Sequence, residues 1–158
     1  MTDLSKTEIN VEKKDYSNYR ILIVSTSWNK EIIDVMQEDA ISKLKGFNVN
    51  HIDTIEVPGA FELSQAAEKF IGSYDAVLAL GTIIKGETYH FEIVANESSR
   101  ALTDLSINFS IPIGNGILTV SDKNQAIKRS DPNQLNKGAG AALACLSLIN
   151  IKNSIDYE

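Results

Sequence analysis

Short runs of apolar residues alternate along this chain with longer stretches in which apolar residues recur at helical spacing. The short runs are rich in β-branched residues, which is typical of buried parallel strands. They predict four strands, at Arg20–Val24, Phe47–Val57, Ala76–Leu80 and Ile111–Val120. Strands that alternate with helices form a parallel sheet with helices packed on both of its faces. We therefore predict an α/β three-layer sandwich, with a four-stranded parallel sheet wound as in flavodoxin.

Five helices are expected between and after these strands. The first has Asn29 as a plausible N-cap and ends at Gly46. A short fourth helix is expected between a cap at Asp122 and Arg129. The last helix, 138–149, is apolar on nearly every side, so it must be covered from more than one direction. A second copy of the chain is the simplest cover.

The chain has 158 residues, which favours one domain. Residues 1–18 and 151–158 are polar and are predicted as tails, with a single domain over 19–150; the first tail is either flexible or bound to a neighbouring chain. A start without an apolar core predicts no signal peptide, the apolar runs are shorter than the ~20 residues of a membrane helix, and one cysteine cannot form a disulfide within the chain. We therefore expect a cytoplasmic protein. Its net charge of −6 disfavours binding to nucleic acids or anionic membranes.

Ligands of an open parallel sheet bind beyond the carboxyl ends of its strands. Three segments follow predicted strands there, namely residues 25–29, 57–62 and 81–90. Gly81 to Gly86 has the glycine spacing of a phosphate-binding loop, but Glu87 replaces the lysine of that motif. A carboxylate cannot hold a nucleotide phosphate, so nucleoside triphosphates are excluded, and no G-x-G-x-x-G sequence supports a dinucleotide.

The helix that begins after Gly86 could bind an anion through its first amides, with Thr88 adding a hydroxyl. His90 lies in its first turn, where the helix dipole disfavours a charged ring and leaves a neutral imidazole available as a base. Equally, Glu87 and Thr88 could merely cap the helix, and His90 could be an ordinary surface residue. The other histidine, His51, has no Cys or His at ligand spacing, so we expect no metal site.

Four further residues each allow two interpretations. Trp28, the only tryptophan, could stack on a planar ligand or anchor the following helix to the sheet. Glu62 could accept the hydroxyls of a polyol or complement its helix dipole. Arg129 and Lys137 could pair with a phosphate, although Arg129 also suits the end of its short helix.

Several motifs occur in a fixed order along the chain. They are Val57-Pro58-Gly59-Ala60-Phe61-Glu62, the segment from Leu80 to Glu92, Gly116-Ile117-Leu118-Thr119, Gln125-Ala126 with Arg129, and Asn136-Lys137-Gly138. Together they closely resemble the lumazine synthase family of riboflavin biosynthesis, in register over about residues 19–150. The resemblance implies a transferase that condenses 5-amino-6-ribitylamino-uracil with 3,4-dihydroxy-2-butanone 4-phosphate. The products would be 6,7-dimethyl-8-ribityllumazine, phosphate and water, without a metal or an organic cofactor.

The resemblance also implies a role for each candidate residue. His90 would be the general acid and base, and Trp28 would stack on the pyrimidine ring. The other residues binding the substrates would be Ala60, Phe61, Glu62, Thr82, Ile83, Ile84, Asn115 and Lys137. The phosphate would be held by Gly86, Glu87, Thr88 and Arg129.

Because Asn115 lies early in the fourth strand, it cannot easily reach the pocket of its own chain; in the family it would enter with Arg129 and Lys137 from an adjacent subunit. The resemblance thus implies a homopentamer, which some members pack into icosahedral shells, and a functional link to riboflavin synthase. Many members have an aromatic residue where Asn115 stands, and residues 130–135 lack the glycines of shell-forming members. The latter favours an isolated pentamer or a pair of pentamers. A flavin or lumazine carrier and a shell protein with a vestigial pocket are the alternatives to an enzyme.

Overall fold

The computed structural model of this chain describes residues 9–155, in which four strands alternate with five α-helices. The strands are β1 (Arg20–Thr26), β2 (His51–Val57), β3 (Ala76–Ile84) and β4 (Ile113–Val120). The helices are α1 (Lys30–Gly46), α2 (Ala60–Phe70), α3 (His90–Phe109), α4 (Lys123–Ser130) and α5 (Lys137–Asn153). A short 3₁₀ turn, Ile71–Ser73, follows α2.

The strands form one parallel sheet in the order β2-β1-β3-β4. Ile23 of β1 lies opposite Thr54 of β2 on one side and Leu78 of β3 on the other. The winding reverses between β1 and β3, which is the switch point of a doubly wound sheet. The predicted α/β fold with a four-stranded, flavodoxin-like sheet is confirmed.

The two faces of the sheet carry separate hydrophobic cores. Ile21 and Ile23 of β1 pack with α1, α4 and α5, whereas Leu22 and Val24 pack with α2 and α3. All four side chains are almost completely buried. A strand covered on both faces must be apolar at every position, which explains the unbroken apolar run from which β1 was predicted.

Helix α5 lies against the backbone of α1 at Gly138. A Cβ atom at this position would overlap the backbone carbonyl of Met36. The absence of a side chain therefore lets the start of α5 lie directly on α1, and covers one side of the core.

We expect Gly138→Ala to lower the free energy of unfolding by about 1–3 kcal/mol, because the added methyl group can be accommodated only if α5 moves away from α1. Urea denaturation measures the change. Gly46→Ala is the matched control, since no described atom lies within 4 Å of the Cβ added there, and its effect should stay within about 0.5 kcal/mol. Equal effects of the two substitutions would contradict this packing.

Each of the four strands differs from the prediction at one boundary. Strand β1 ends at Thr26 rather than Val24, and β4 begins at Ile113 rather than Ile111. The two larger differences are in β2 and β3.

Strand β2 begins at His51 rather than Phe47, because Phe47 closes α1 and Asn48 adopts a left-handed backbone with φ of 64°. Strand β3 continues to Ile84, so Gly81 lies within the sheet opposite Ile117 and not in a loop. Of the two glycines that suggested a phosphate-binding loop, Gly81 therefore belongs to β3, and only Gly86 lies in the loop after it.

Part of the predicted N-terminal tail packs against the domain. The Tyr16 side chain is fully buried; its hydroxyl donates to the carbonyl oxygen of Glu12 (2.7 Å) and accepts from Nδ2 of Asn150 (2.6 Å). At the other end, α5 continues to Asn153, so the boundary predicted at residue 150 falls inside a helix. Residues 1–8 and 156–158 of the predicted tails lie outside the described residues.

Helix α5 is covered largely by its own chain. Its buried side chains pack against α1 and β4 and comprise Ala139, Ala141, Ala142, Cys145, Leu146 and Ile149. Leu143 and Ala144 are half-buried and Leu148 is exposed. The apolar surface of α5 that its own chain leaves uncovered is thus limited to the strip formed by these three residues, and does not surround the helix.

Candidate active site

The predicted site residues form two groups, of which the first lies at the carboxyl ends of β1, β2 and β3 and includes the last residues of β3. We call this group the strand-end cluster. It consists of Trp28, Ala60, Phe61, Glu62, Thr82, Ile83, Ile84, Gly86, Glu87, Thr88 and His90. Parallel strands end at the same edge of a sheet, so segments far apart in the sequence meet there.

The segment that carries Trp28 is tied to the end of β2. The Ser27 amide donates to the Val57 carbonyl (2.8 Å) and the Trp28 amide to the Pro58 carbonyl (3.4 Å). A Cβ at Gly59 would lie 3.1 Å from the indole, so a side chain at this position would require the ring to shift by a few tenths of an ångström. Trp28 remains 67% exposed. It therefore does not anchor its helix by burial, and its ring is open to a ligand.

Asn29 occupies the N-cap position of α1, but its side chain does not cap the helix. Its backbone is left-handed, with φ of 58°, and its Nδ2 lies 3.5 Å from the Thr82 carbonyl oxygen, at the outer limit of a hydrogen bond. The predicted N-cap position is confirmed, but the side chain makes no capping bond because this conformation turns the amide towards β3. The Thr82 hydroxyl, beside this contact, is buried without a hydrogen-bond partner among the described residues.

Glu62 is half-buried in the first turn of α2. Its Oε2 accepts the Gly59 amide at 2.9 Å, as in a capping box. The carboxylate thus lies at the N-terminus of α2, where it complements the helix dipole, which is one of its two interpretations. A contact with a polyol stays a prediction.

The segment before α3 is exposed and begins where β3 leaves the sheet. The Lys85 amide donates to the Val120 carbonyl (2.9 Å), and residues 86–90 then project from the edge. The His90 amide donates to Oγ1 of Thr88 (3.4 Å). The His90 imidazole meets the Phe61 ring edge-on, with centroids 6.0 Å apart. A group that can transfer protons therefore lies beside an aromatic surface and a helix N-terminus.

The second group of predicted residues, Asn115, Arg129 and Lys137, lines a groove of about 410 Å³ between β4 and α5, which we call the β4 groove. Its other lining residues are Ile9, Gly116, Ile117, Leu118, Thr119, Leu135, Gly140, Ala141 and Ala144. None of these belongs to the strand-end cluster. The fold thus brings three predicted residues together in one groove, whose lining includes none of the other eleven.

Hydrogen bonds orient two side chains of the β4 groove. Asn115 donates from Nδ2 to Oγ of Ser99 on α3 (3.2 Å), and its Oδ1 accepts the Ile117 amide (3.0 Å). Arg129 donates from Nη1 to the Gln125 carbonyl within α4 (3.1 Å). Sequence reasoning missed Ser99, because its position beside Asn115 depends on how α3 packs on β4 and leaves no local signal.

Among residues 9–155, neither a metal-binding cluster nor a reactive cysteine accompanies these residues. Within residues 9–155, no group of three or more His, Cys, Asp or Glu is placed to hold a metal ion. Burial raises the pKa of the Cys145 thiol to about 12, so this side chain stays protonated and is not a nucleophile. In the same part of the chain, no helix combines the length and the apolar character needed to cross a membrane.

Comparisons with known proteins cover both groups of residues. Residues 18–153 match the sequence model of the family described as 6,7-dimethyl-8-ribityllumazine synthase. The 6,7-dimethyl-8-ribityllumazine synthase 1 of Rhodopseudomonas palustris is 43% identical to this chain. The match covers 91% of this chain and 92% of the relative's length. The synthase of Nitrobacter hamburgensis is 42% identical over the same shares, and that of Bartonella tribocorum is 47% identical over 84% of this chain and 89% of its own.

Proposed function

This chain belongs to the 6,7-dimethyl-8-ribityllumazine synthase family, and on that premise we propose how its active site is assembled. The resemblance seen in the sequence is confirmed. The chain is a transferase of riboflavin biosynthesis, which condenses 5-amino-6-ribitylamino-uracil with 3,4-dihydroxy-2-butanone 4-phosphate. The match of the family across both groups of site residues carries this conclusion.

Each active site, in our proposal, is built from two copies of the chain. Asn115 lies opposite Ala79, about five residues or roughly 16 Å before the end of β3. Asn115, at one end of the β4 groove, is therefore set back from the strand-end cluster of its own chain. A second copy that places its β4 groove over the cluster would close the site, and family membership implies a homo-oligomer.

The two substrates would bind side by side in this composite site. The pyrimidine ring lies on Trp28, near Ala60 and Phe61, with backbone groups of 82–84 around it, and the ribityl chain extends towards Glu62. The phosphate lies on Thr88 and the amides of Gly86 and Glu87, in the loop just before the N-terminus of α3. This placement is supported by the exposed indole, the exposed segment 86–90 and the adjacent helix dipole.

The partner chain would contribute Arg129 and Lys137 at the phosphate end and Asn115 at the ring. A guanidinium suits a phosphate because its planar N–H groups match the phosphate oxygens. Arg129 is half-buried and is already held along α4 by its bond to Gln125, so little side-chain freedom is lost on binding.

His90 would move the protons of the reaction. Its neutral imidazole accepts a proton as the amine attacks the ketone carbonyl, and returns it to the hydroxyl that leaves as water. It then removes a proton from the carbon beside the imine, and the phosphate departs with the electron pair of its C–O bond. The enol that remains becomes a ketone, and the ribitylamino nitrogen attacks this carbonyl and closes the ring with loss of a second water. Holding both reactants in one slot supplies much of the remaining acceleration, up to ~7–11 kcal/mol in favourable systems.

We propose a pentamer or a pair of pentamers as the assembly. Exposed apolar side chains on α2 and α3 support contacts between subunits, at Phe70, Ile93, Ile107 and Phe109. Light scattering should give a mass about five or ten times that of the 17.3 kDa chain. We also propose a functional link to riboflavin synthase, which would consume the product. The cytoplasmic location stays a prediction, for which cell fractionation is the test.

Mixing both substrates with the purified protein tests the activity. We expect the lumazine chromophore to appear well above the uncatalysed rate, with one phosphate released for each lumazine formed. A folded oligomer that gives no product would refute the proposal. If riboflavin quenches the Trp28 fluorescence but no turnover occurs, the protein is a flavin carrier instead.

A further inference from the structure

We infer that Ser99 is a positioning residue, which holds the amide of Asn115 flat as the second wall of the ring slot. This inference rests on the proposed function, because it requires the β4 groove of one chain to face the substrate ring bound by another. In this proposal, the second wall of the ring slot is formed by Asn115 on β4 and is supported by a residue on α3.

The two hydrogen bonds of Asn115 fix the plane of its amide. The terminal torsion of an asparagine is ordinarily broad, so an exposed amide rotates freely. Here Nδ2 donates to Ser99 Oγ on one side, at 3.2 Å, and Oδ1 accepts from the Ile117 amide on the other, at 3.0 Å. Both ends of the amide are engaged although the side chain is exposed, which leaves its two flat faces to meet a ligand.

The anchor on α3 is itself well held. Ser99 is half-buried, and its backbone carbonyl accepts the hydroxyl of Thr103 (3.0 Å). The next residue, Arg100, bridges Glu97 (2.6 Å) and Asp104 (2.6 Å) on the outer side of the helix. The Ser99 hydroxyl is therefore held on a fixed turn of α3, the helix whose first residue is His90.

A fixed amide can do part of what an aromatic ring does at this place. Like a ring, it is planar and can lie against the pyrimidine with dispersion contacts over its face. An amide without these hydrogen bonds would rotate and stay hydrated, so its flat face would contact the pyrimidine for only part of the time. Because the ring is bound both before and during the reaction, this loss affects binding rather than the chemical step.

The test compares steady-state kinetics of the intact oligomer. Ser99→Ala should raise KM for the aminouracil substrate about threefold to tenfold, the effect of one hydrogen bond, with kcat and KM for the phosphate substrate unchanged. Ser99→Thr keeps the hydroxyl and should restore a KM near that of the wild type. Ser98→Ala is the matched control: Ser98 is buried on the same helix and donates to the Ala95 carbonyl, so KM should not change.

Asn115→Ala provides the second arm. Adding Ser99→Ala to this variant should leave KM where Asn115→Ala alone puts it, because Ser99 then has no amide to hold. The inference is overturned if Ser99→Ala behaves as wild type, or if it raises KM by the same factor without Asn115. A wild-type protein that forms no lumazine would overturn the proposed function and this inference together, whereas normal turnover with a silent Ser99→Ala overturns the inference alone.

Discussion

Replacing Arg129 by alanine should lower kcat/KM for the phosphate substrate by about 10²–10³-fold while the oligomer stays assembled. The guanidinium would be the main cation facing the phosphate, in a site closed by two chains. Removing one partner of a desolvated, hydrogen-bonded charge pair typically costs about 2–5 kcal/mol, and each 1.4 kcal/mol corresponds to a factor of about ten. KM for the aminouracil should change much less, because Arg129 would not touch that substrate.

Initial rates at varied concentrations of each substrate measure this effect. Lys128→Ala is the matched control, since Lys128 is an exposed cation on the same last turn of α4 and does not line the β4 groove. Its kinetic constants should stay within about twofold of wild type, since an isolated surface charge contributes little. A similar loss of kcat/KM in both variants would show that the positive charge of α4 as a whole, and not a contact made by Arg129, supports the reaction.

His90→Ala should lower kcat by about 10²-fold, at the lower end of the range for general acid–base catalysis, with little change in either KM. The residual rate would come from alignment of the two substrates, which does not need the imidazole. Because the His90 ring is exposed and lies against Phe61, its removal should leave the fold intact.

Single-turnover kinetics and added imidazole test this role. Imidazole in solution should partly restore the rate of His90→Ala, because the deleted ring leaves space beside Phe61. The other histidine supplies the control: His51 is exposed on β2, and His51→Ala should retain wild-type kcat. Wild-type turnover by His90→Ala would remove this residue from the mechanism.

The parts of the fold that local pattern determines were predictable from the sequence. Strands β1 and β3 are apolar at successive positions because both faces are buried, and α1 buries Ile33, Met36, Ala40 and Leu44 as their spacing predicts. The position of the strand-end cluster then follows from topology alone, since parallel strands share one ligand-binding edge.

The features that were not predicted depend on contacts between distant residues or on backbone conformation. Tyr16 is buried in the core, where Asn150, far along the chain, donates a hydrogen bond to its hydroxyl, and no local pattern marks this. Asn48 turns the chain with a left-handed backbone, so the apolar residues before it do not extend β2. Ser99 reaches Asn115 only through the packing of α3 on β4.

The division of the site between two chains is the central claim, and co-expression of two inactivated chains tests it most directly. In mixed oligomers, a strand-end cluster from an Arg129→Ala chain can meet a β4 groove from a His90→Ala chain, and such a site has both residues. Random mixing of equal amounts should therefore restore about a quarter of the wild-type activity, although each variant alone is impaired. If the site lay within one chain, every site would lack one residue, and the mixture would show no more than the mean of the two variants.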